Sequence, residues 1–255
     1  MRRTLIRALV VAALAALLVC ASASALKIEI DKTVVSATAT IFPRELPSKK
    51  NVPVQVSNIT RIKTTDGSQP PTLRRLIFGF DKNGTIDAKG LPVCTLAKLA
   101  DTTTSLARKR CAGSIVGEGV GKADIRLPGL APQQVSLPIT FFNGPPIGGT
   151  PSLIGHAYET IPAPKTLLVP IPIERIHQGR YGYRVQIELP EIAAGYGAAT
   201  LVKATIGKTW MRGGETVGYL NAHCTGGRLQ VHGSLSFTDG SFFPGTLTSP
   251  CHAPD

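Results

Sequence analysis

The stretch RYGYRVQIEL at residues 180–189 decides the fold class, because apolar and polar side chains alternate along it one by one. Successive side chains of a β-strand point to opposite faces of the sheet, so this period of two indicates a half-buried strand. Its apolar positions are Tyr181, Tyr183, Val185, Ile187 and Leu189.

Strand patterns of the same kind recur along the chain, and turn-forming residues separate them. The chain contains 20 prolines and 26 glycines, so we expect hairpins and longer loops between antiparallel strands. We therefore predict an all-β fold, an antiparallel β-sandwich of the Greek-key or jelly-roll type. The further strand patterns lie at residues 27–30, 76–80, 136–142, 167–173, 201–206 and 229–237.

One segment has helical spacing instead. Leu96, Leu99, Thr103 and Leu106 follow one another at steps of three and four residues. This spacing predicts one or two short helical turns between residues 95 and 110. The threonines and serine at 102–105 have low helix propensity, so we do not expect one continuous helix.

The first 25 residues have the pattern of a secretory signal peptide. Three arginines precede an apolar run at residues 8–21, and small residues at 23–25 form a cleavage site. We predict export to the cell envelope or out of the cell, with residues 26–255 as a single mature domain without a transmembrane anchor. Lipidation at Cys20 is the weaker alternative, because Val19 stands where such a site requires a small residue.

The mature chain is strongly basic. The whole chain has 28 Lys and Arg residues against 16 Asp and Glu, and loss of three arginines with the signal peptide leaves 25 against 16, a net charge of +9. This charge favours association with anionic partners such as cell-envelope polymers. No aromatic residues are interleaved with the basic ones, which does not favour nucleic acid. The candidate contacts are Lys49, Lys50, Arg74, Arg75, Arg108, Lys109 and Arg110.

Four cysteines remain after removal of the signal peptide, and an even number in an exported protein indicates two disulfides. Three pairings are possible. We favour Cys94 with Cys111 and Cys224 with Cys251, because each of these bonds closes a short local loop. The loop-entropy model gives each bond a stabilisation of about 3 kcal/mol.

The run GEGVGK at residues 117–122 resembles a phosphate-binding loop but fails its requirements. A P-loop needs glycine at position 116 and a hydroxyl residue at position 123, where this chain has Val116 and Ala123. The dinucleotide fingerprint fails as well, because its third glycine falls on Lys122. We predict a glycine-interrupted strand here, with neither a nucleotide nor another cofactor.

Two further motifs suggest metal ions but have simpler interpretations. Residues 81–87 place oxygen ligands as a calcium loop does, yet the Asn-Gly pair at 83–84 favours a type I′ hairpin turn. The His and Cys pairs at 223–224 and 251–252 could supply zinc ligands. Adjacent side chains on a strand point apart, however, and disulfides need only the cysteines. We predict no metal site.

Several phrases of the sequence, taken in order, resemble a family of exported, uncharacterised β-rich proteins of actinobacterial type with paired cysteines. The resemblance implies export and a β-rich domain, and it carries no catalytic residues. The phrases lie at residues 66–73, 80–84, 90–94, 110–119, 142–144 and 219–227.

The sequence favours a non-catalytic binding or structural module. It has no nucleophile elbow, and none of its five histidines lies in a local catalytic signature. One alternative is an exported hydrolase whose site assembles only in three dimensions. Another is a carbohydrate-binding module, for which Trp210 exposed beside Tyr181 or Tyr183 would form the stacking platform.

Overall fold

Residues 180–189 form the predicted strand in the computed structural model, which describes residues 25–253. The strand β10, Tyr181–Glu188, alternates between buried and exposed side chains from Tyr183 onward. A register shift separates Tyr181 from Tyr183 in both neighbouring pairings. The extra residue of this bulge turns Tyr181 to the outer face, where its ring centroid lies 6.1 Å from that of His232.

The described residues form sixteen strands and two short α-helices. The first eight strands are β1 Ala25–Ile30, β2 Thr33–Phe42, β3 Val52–Thr64, β4 Leu73–Asp81, β5 Gly84–Ile86, β6 Ile115–Ile125, β7 Gln133–Ile147 and β8 Thr150–Glu159. The others are β9 Lys165–Gln178, β10, β11 Gly197–Ile206, β12 Thr209–Arg212, β13 Glu215–Gly218, β14 Leu220–Ala222, β15 Arg228–Phe237 and β16 Phe242–Pro250. The helices are α1 Leu96–Leu99 and α2 Thr104–Arg110.

Twelve strands follow one another in a continuous antiparallel sheet. Their order is β1-β2-β3-β11-β6-β7-β8-β9-β10-β4-β15-β16, while β14 pairs with β3 and β5, and β12 pairs with β13. The sheet curves until β16 contacts β1 and β2. The predicted all-β class and antiparallel pairing are confirmed.

The main core lies between strands from the two ends of this order. Val35 and Ile62 on β2 and β3 pack in one cluster with Leu76, Leu235 and Phe243 on β4, β15 and β16. The curved sheet therefore brings its two ends together around this core, which buries the apolar side of its strands.

The alternating strand directions sort the connections into two ends of the molecule. One end carries both disulfides, and we call it the disulfide end. Its connections are residues 43–51, 82–114, 148–149, 179–180, 207–227 and 251–253. The connections of the opposite end are residues 31–32, 65–72, 126–132, 160–164, 189–196 and 238–241.

The predicted helical turns and cysteine pairings are both confirmed. The threonine side chains of Thr95 and Thr103 accept backbone hydrogen bonds at the starts of α1 and α2. The Cα atoms of Cys94 and Cys111 lie 5.8 Å apart, and the corresponding distance for the second disulfide is 5.9 Å. The chain reverses between the helices at Asp101, whose φ is 51°. Of the predicted apolar face, Leu99 is buried, whereas Leu96 and Leu106 are exposed.

The glycine-rich run at residues 117–122 lies in β6, as predicted. A Cβ atom at Gly117 or Gly119 would collide with the backbone carbonyl oxygens of Thr205 and Lys203 on β11. These two glycines therefore allow β6 and β11 to approach closely, which a strand glycine often marks.

The predicted type I′ hairpin at Asn83 and Gly84 is wrong. That turn needs positive φ at both residues, and neither has it. β5, which follows the turn, pairs with β14 and not with β4. The side chain of Asp81 instead accepts the N–H of Asn83 at 3.1 Å, which forms the local turn.

The predicted signal peptide lies outside the described residues, except for Ala25 at the start of β1. Within residues 25–253, no helix has the length and apolar character needed to cross a membrane.

Candidate anion-binding face

The predicted anion contacts lie in three separate segments of the structure. Lys49 and Lys50 lie in the connection between β2 and β3, at the disulfide end. The three basic residues of α2, at 108–110, lie at the same end. Arg74 and Arg75 begin β4 at the opposite end. The seven residues therefore do not form one surface.

Two of these seven cations also have acidic partners. Arg108 donates to a carboxylate oxygen of Glu118 at 2.6 Å, and Arg75 forms an ion pair with Glu188. Partial desolvation raises the pKa of Glu188, but hydrogen bonds from Arg75 and Gln186, together with the charges of Arg75 and Arg74, leave that pKa below its usual value. These exposed pairs reduce the positive charge that either residue can offer to a ligand.

A more concentrated set of cations lies on the outer face of three adjacent strands. Arg61 and Lys63 project from β3, Lys203 from β11 and Lys122 from β6, and all four are exposed. Their side chains form no ion pair or hydrogen bond within residues 25–253. We call these four residues the cationic face.

Strand register brings the cationic face together. Leu201 on β11 lies directly opposite Arg61 on one side and Lys122 on the other. Lys203 lies two residues further along β11, on the same face. Diagonal neighbours in a sheet are about 7–8 Å apart, so Lys203 lies within reach of the ligand groups that Arg61 and Lys122 would contact.

A surface depression of about 460 Å³ continues from this face toward the disulfide end. Lys203 belongs to both surfaces, and Lys208, whose ammonium donates to the carbonyl of Gly113, adds a second cation. Ser57 and Thr205 share a hydrogen bond of 2.9 Å between their hydroxyls beside it. The depression therefore extends the cationic face with hydroxyl groups and a second cation, while Glu118, which also lines it, is paired with Arg108.

The histidines do not form a catalytic arrangement in the described part of the chain. His223 bonds to Asn51 at 2.8 Å and His232 to Thr246 at 3.0 Å, whereas His177 and His252 are exposed. None of the four bonds to a carboxylate or a serine. No three His, Cys, Asp or Glu side chains among residues 25–253 gather closely enough to hold a metal ion.

His156 is the fifth histidine and is completely buried under α1 and α2. Its Nε2 atom lies 3.0 Å from the hydroxyl and 3.1 Å from the carbonyl oxygen of Thr102. Burial lowers the pKa of His156, and its hydrogen bonds raise the pKa by less. The ring also meets Phe142 edge-on, with 6.4 Å between centroids, so this histidine is part of a packed core.

The carboxylates of the predicted calcium-like motif are engaged by arginine. Asp81 accepts a hydrogen bond from Arg180 at 2.8 Å, and Asp87 accepts one from Arg212 at 2.6 Å. The hydrogen bond from Arg212 is the main reason that the pKa of Asp87 lies below its usual value. Both carboxylates thus serve as internal structural groups.

The indole of Trp210 is half-buried and packs against the cluster that contains Tyr183. Tyr183 is itself only 7% exposed, and Tyr181 faces the other side of the sheet. The three rings therefore do not form the exposed stacking platform on which a carbohydrate-binding module would depend.

Fold and surface together define a disulfide-bonded, all-β protein with a cationic sheet face. No protein-family model matches the chain, and no curated protein is significantly similar to it. Its resemblance to exported actinobacterial β-rich proteins stays a prediction from the sequence.

Proposed function

We propose that this protein is a non-catalytic binding module of the cell envelope or its exterior, which holds an anionic polymer on the cationic face. The observation that carries the proposal is the set of four exposed cations on β3, β11 and β6 without acidic partners. The two disulfides support an exported protein, because such bonds persist in oxidising compartments.

The electrostatic cost of the cationic face supports an external ligand. Like charges on neighbouring strands destabilise a sheet. Two unit charges about 7 Å apart repel by roughly 0.6 kcal/mol in water. A polymer with phosphate or carboxylate groups would reverse the sign of this contribution, since each anionic group could lie between two of the cations.

The half-buried Leu201 also supports a ligand that follows the sheet surface. It lies between Arg61 and Lys122, so an extended chain that crosses the strands would contact an apolar side chain between two cations. Regularly spaced anionic groups on a polymer of sugars or polyols fit this alternation.

Retention of the mature protein on purified cell envelopes tests the proposal. The double variant Arg61→Glu and Lys203→Glu should lose retention by at least about tenfold at roughly 0.15 M salt, where exposed charges are still incompletely screened. The matched control is Lys49→Glu with Lys50→Glu, which changes the net charge by the same amount at a different place. We expect this control to stay within about twofold of the unmodified protein.

Equal losses in both double variants would show that net charge alone causes retention. Retention that does not weaken as salt rises, or no retention at all, would also overturn the proposal. Circular dichroism of each variant separates a loss of binding from a loss of folding.

A further inference from the structure

A cavity of about 200 Å³ lies at the end of the molecule opposite the disulfides. It lies between β6, β7, the end of β8 and the connection that precedes β11. Glu159, Thr160 and Ser136 are its polar residues, and Thr160 and Ser136 are both exposed. The apolar residues around it are Ile125, Val135, Leu137, Ile161 and Ile192.

Glu159 is buried in this cavity without a cation. It is 4% exposed, and its one protein hydrogen bond comes from the backbone N–H of Ala193 at 3.5 Å. No Lys, Arg or His side chain of residues 25–253 lies within ion-pair distance of its carboxylate, although Lys165 lies directly opposite Glu159 on β9.

Two other buried carboxylates of the described chain have the cationic partner that Glu159 does not have. Asp81 and Asp124 are 5% and 4% exposed, and each has an arginine partner, at 2.8 Å and 3.0 Å. A carboxylate with little exposure and no cationic partner is in an unfavourable position. Glu159 has similar burial and lines the cavity, but it has no arginine partner.

Backbone strain supports a specific role for this corner of the cavity. Ala193, Ala194 and Gly195 have φ values of 50°, 54° and 90°. Alanine adopts this left-handed region only at an energetic cost, and such strain often occurs at ligand sites. The strained turn directs the N–H of Ala193 toward Glu159 and places Ile192 in the cavity wall.

We propose that the cavity binds a small primary alkylamine, with its ammonium group on Glu159 and its hydrocarbon chain against the apolar walls. The Glu159 carboxylate can accept hydrogen bonds from the ammonium group, whereas Ser136 lies directly opposite Lys122 and directs its side chain to the other face of the sheet. An apolar cavity of about 150 Å³ accommodates benzene, so a cavity of about 200 Å³ accommodates an amine of six to eight non-hydrogen atoms. This site is separate from the cationic face and takes a ligand of opposite charge.

A comparison of n-pentylammonium with its neutral analogue n-pentanol tests the site. The full mature chain is titrated with each compound, and binding is followed by NMR of the methyl groups of Ile125, Leu137 and Ile192. We expect n-pentylammonium to bind at least about tenfold more tightly than n-pentanol, a difference that corresponds to about 1.4 kcal/mol. The shifted methyl resonances should be those of the cavity walls.

Two isosteric variants assign the effect to one carboxylate. Glu159→Gln should abolish the preference for the amine while n-pentanol still binds, and thermal unfolding should show that the variant is folded. Glu191→Gln alters an exposed carboxylate in the adjacent connection and should leave the preference unchanged. Equal binding of amine and alcohol to the unmodified protein, or a preference that survives Glu159→Gln, would overturn the proposal.

Discussion

The hydroxyl of Tyr219 is a buried polar group on a ring that packs in the core. Tyr219 is fully buried in the cluster that includes Tyr183 and Val116. Its hydroxyl has no hydrogen-bond partner among residues 25–253. Burial raises the pKa of Tyr219, because the charged phenolate is disfavoured away from water.

Replacement of Tyr219 by phenylalanine should therefore raise the free energy of unfolding. Removal of an unpaired buried hydroxyl relieves a desolvation cost of about 1–3 kcal/mol, and the ring that fills the core is kept. We expect a gain of about 1 kcal/mol in urea unfolding of Tyr219→Phe. Tyr183→Phe is the matched control, with no comparable gain expected, and a loss of stability in Tyr219→Phe would contradict the prediction.

At the scale of elements, β6 shows how glycines permit close contact between strands. Gly119 and Gly121 lie two residues apart on the same face of this strand. A Cβ atom at Gly119 would meet the carbonyl oxygen of Lys203, a backbone atom that cannot rotate away. At Gly121 the nearest atom is the methyl end of Ile139 at 3.5 Å, an ordinary contact.

The same substitution at these two positions should have different effects. Gly119→Ala should lower the free energy of unfolding by about 1–3 kcal/mol, because β6 and β11 must separate. Gly121→Ala should cost less than about 0.5 kcal/mol, because strand residues other than glycine lose less entropy on folding. Denaturant titration of both variants measures the difference, and equal losses would show that the contact with β11 does not require glycine.

The sequence predicted the strands and disulfides well because both depend on residues that lie close together along the chain. The alternation at residues 183–188 follows from the strand geometry itself, and the two disulfides close loops with sequence separations of only 17 and 27 residues. The bulge at Gly182 and the pairing of β5 with β14 depend on neighbouring strands, so no period in the sequence marks them.

At the scale of the whole molecule, strand order determines both candidate sites. Arg61 and Lys203 become neighbours only because β11 pairs with β3. Within its own strand, each cation occupies one of the alternate positions that face solvent, and this pattern is visible in the sequence. The pattern does not show which strands are adjacent. Glu159 ends a strand and gives no sign of burial in the sequence, because its cover comes from residues 189–196.

The packing of α1 and α2 on the sheet links the stability of the whole molecule to pH through His156. Burial keeps the folded-state pKa of His156 below its usual value of 6.5. The unfolded chain therefore binds a proton on this side chain more readily than the folded chain does. The stability that results is fully present above pH 6.5 and is lost as the pH falls toward the folded-state pKa.

The free energy of unfolding should consequently decline as the pH falls below 6.5, by no more than about 1.4 kcal/mol per pH unit from this one group. Asp66, Asp87 and Glu188 also have lowered pKa values, but their usual values are only 3.8 to 4.5, so they change stability mainly below about pH 5. Between pH 6.5 and about pH 5, the decline therefore reports on the histidine. Urea unfolding at several pH values measures the slope.

His156→Gln should remove the decline, because glutamine can bond to Thr102 but does not titrate. His232→Gln, on an exposed strand face, should keep it. A decline that persists in His156→Gln would show that another group couples pH to stability.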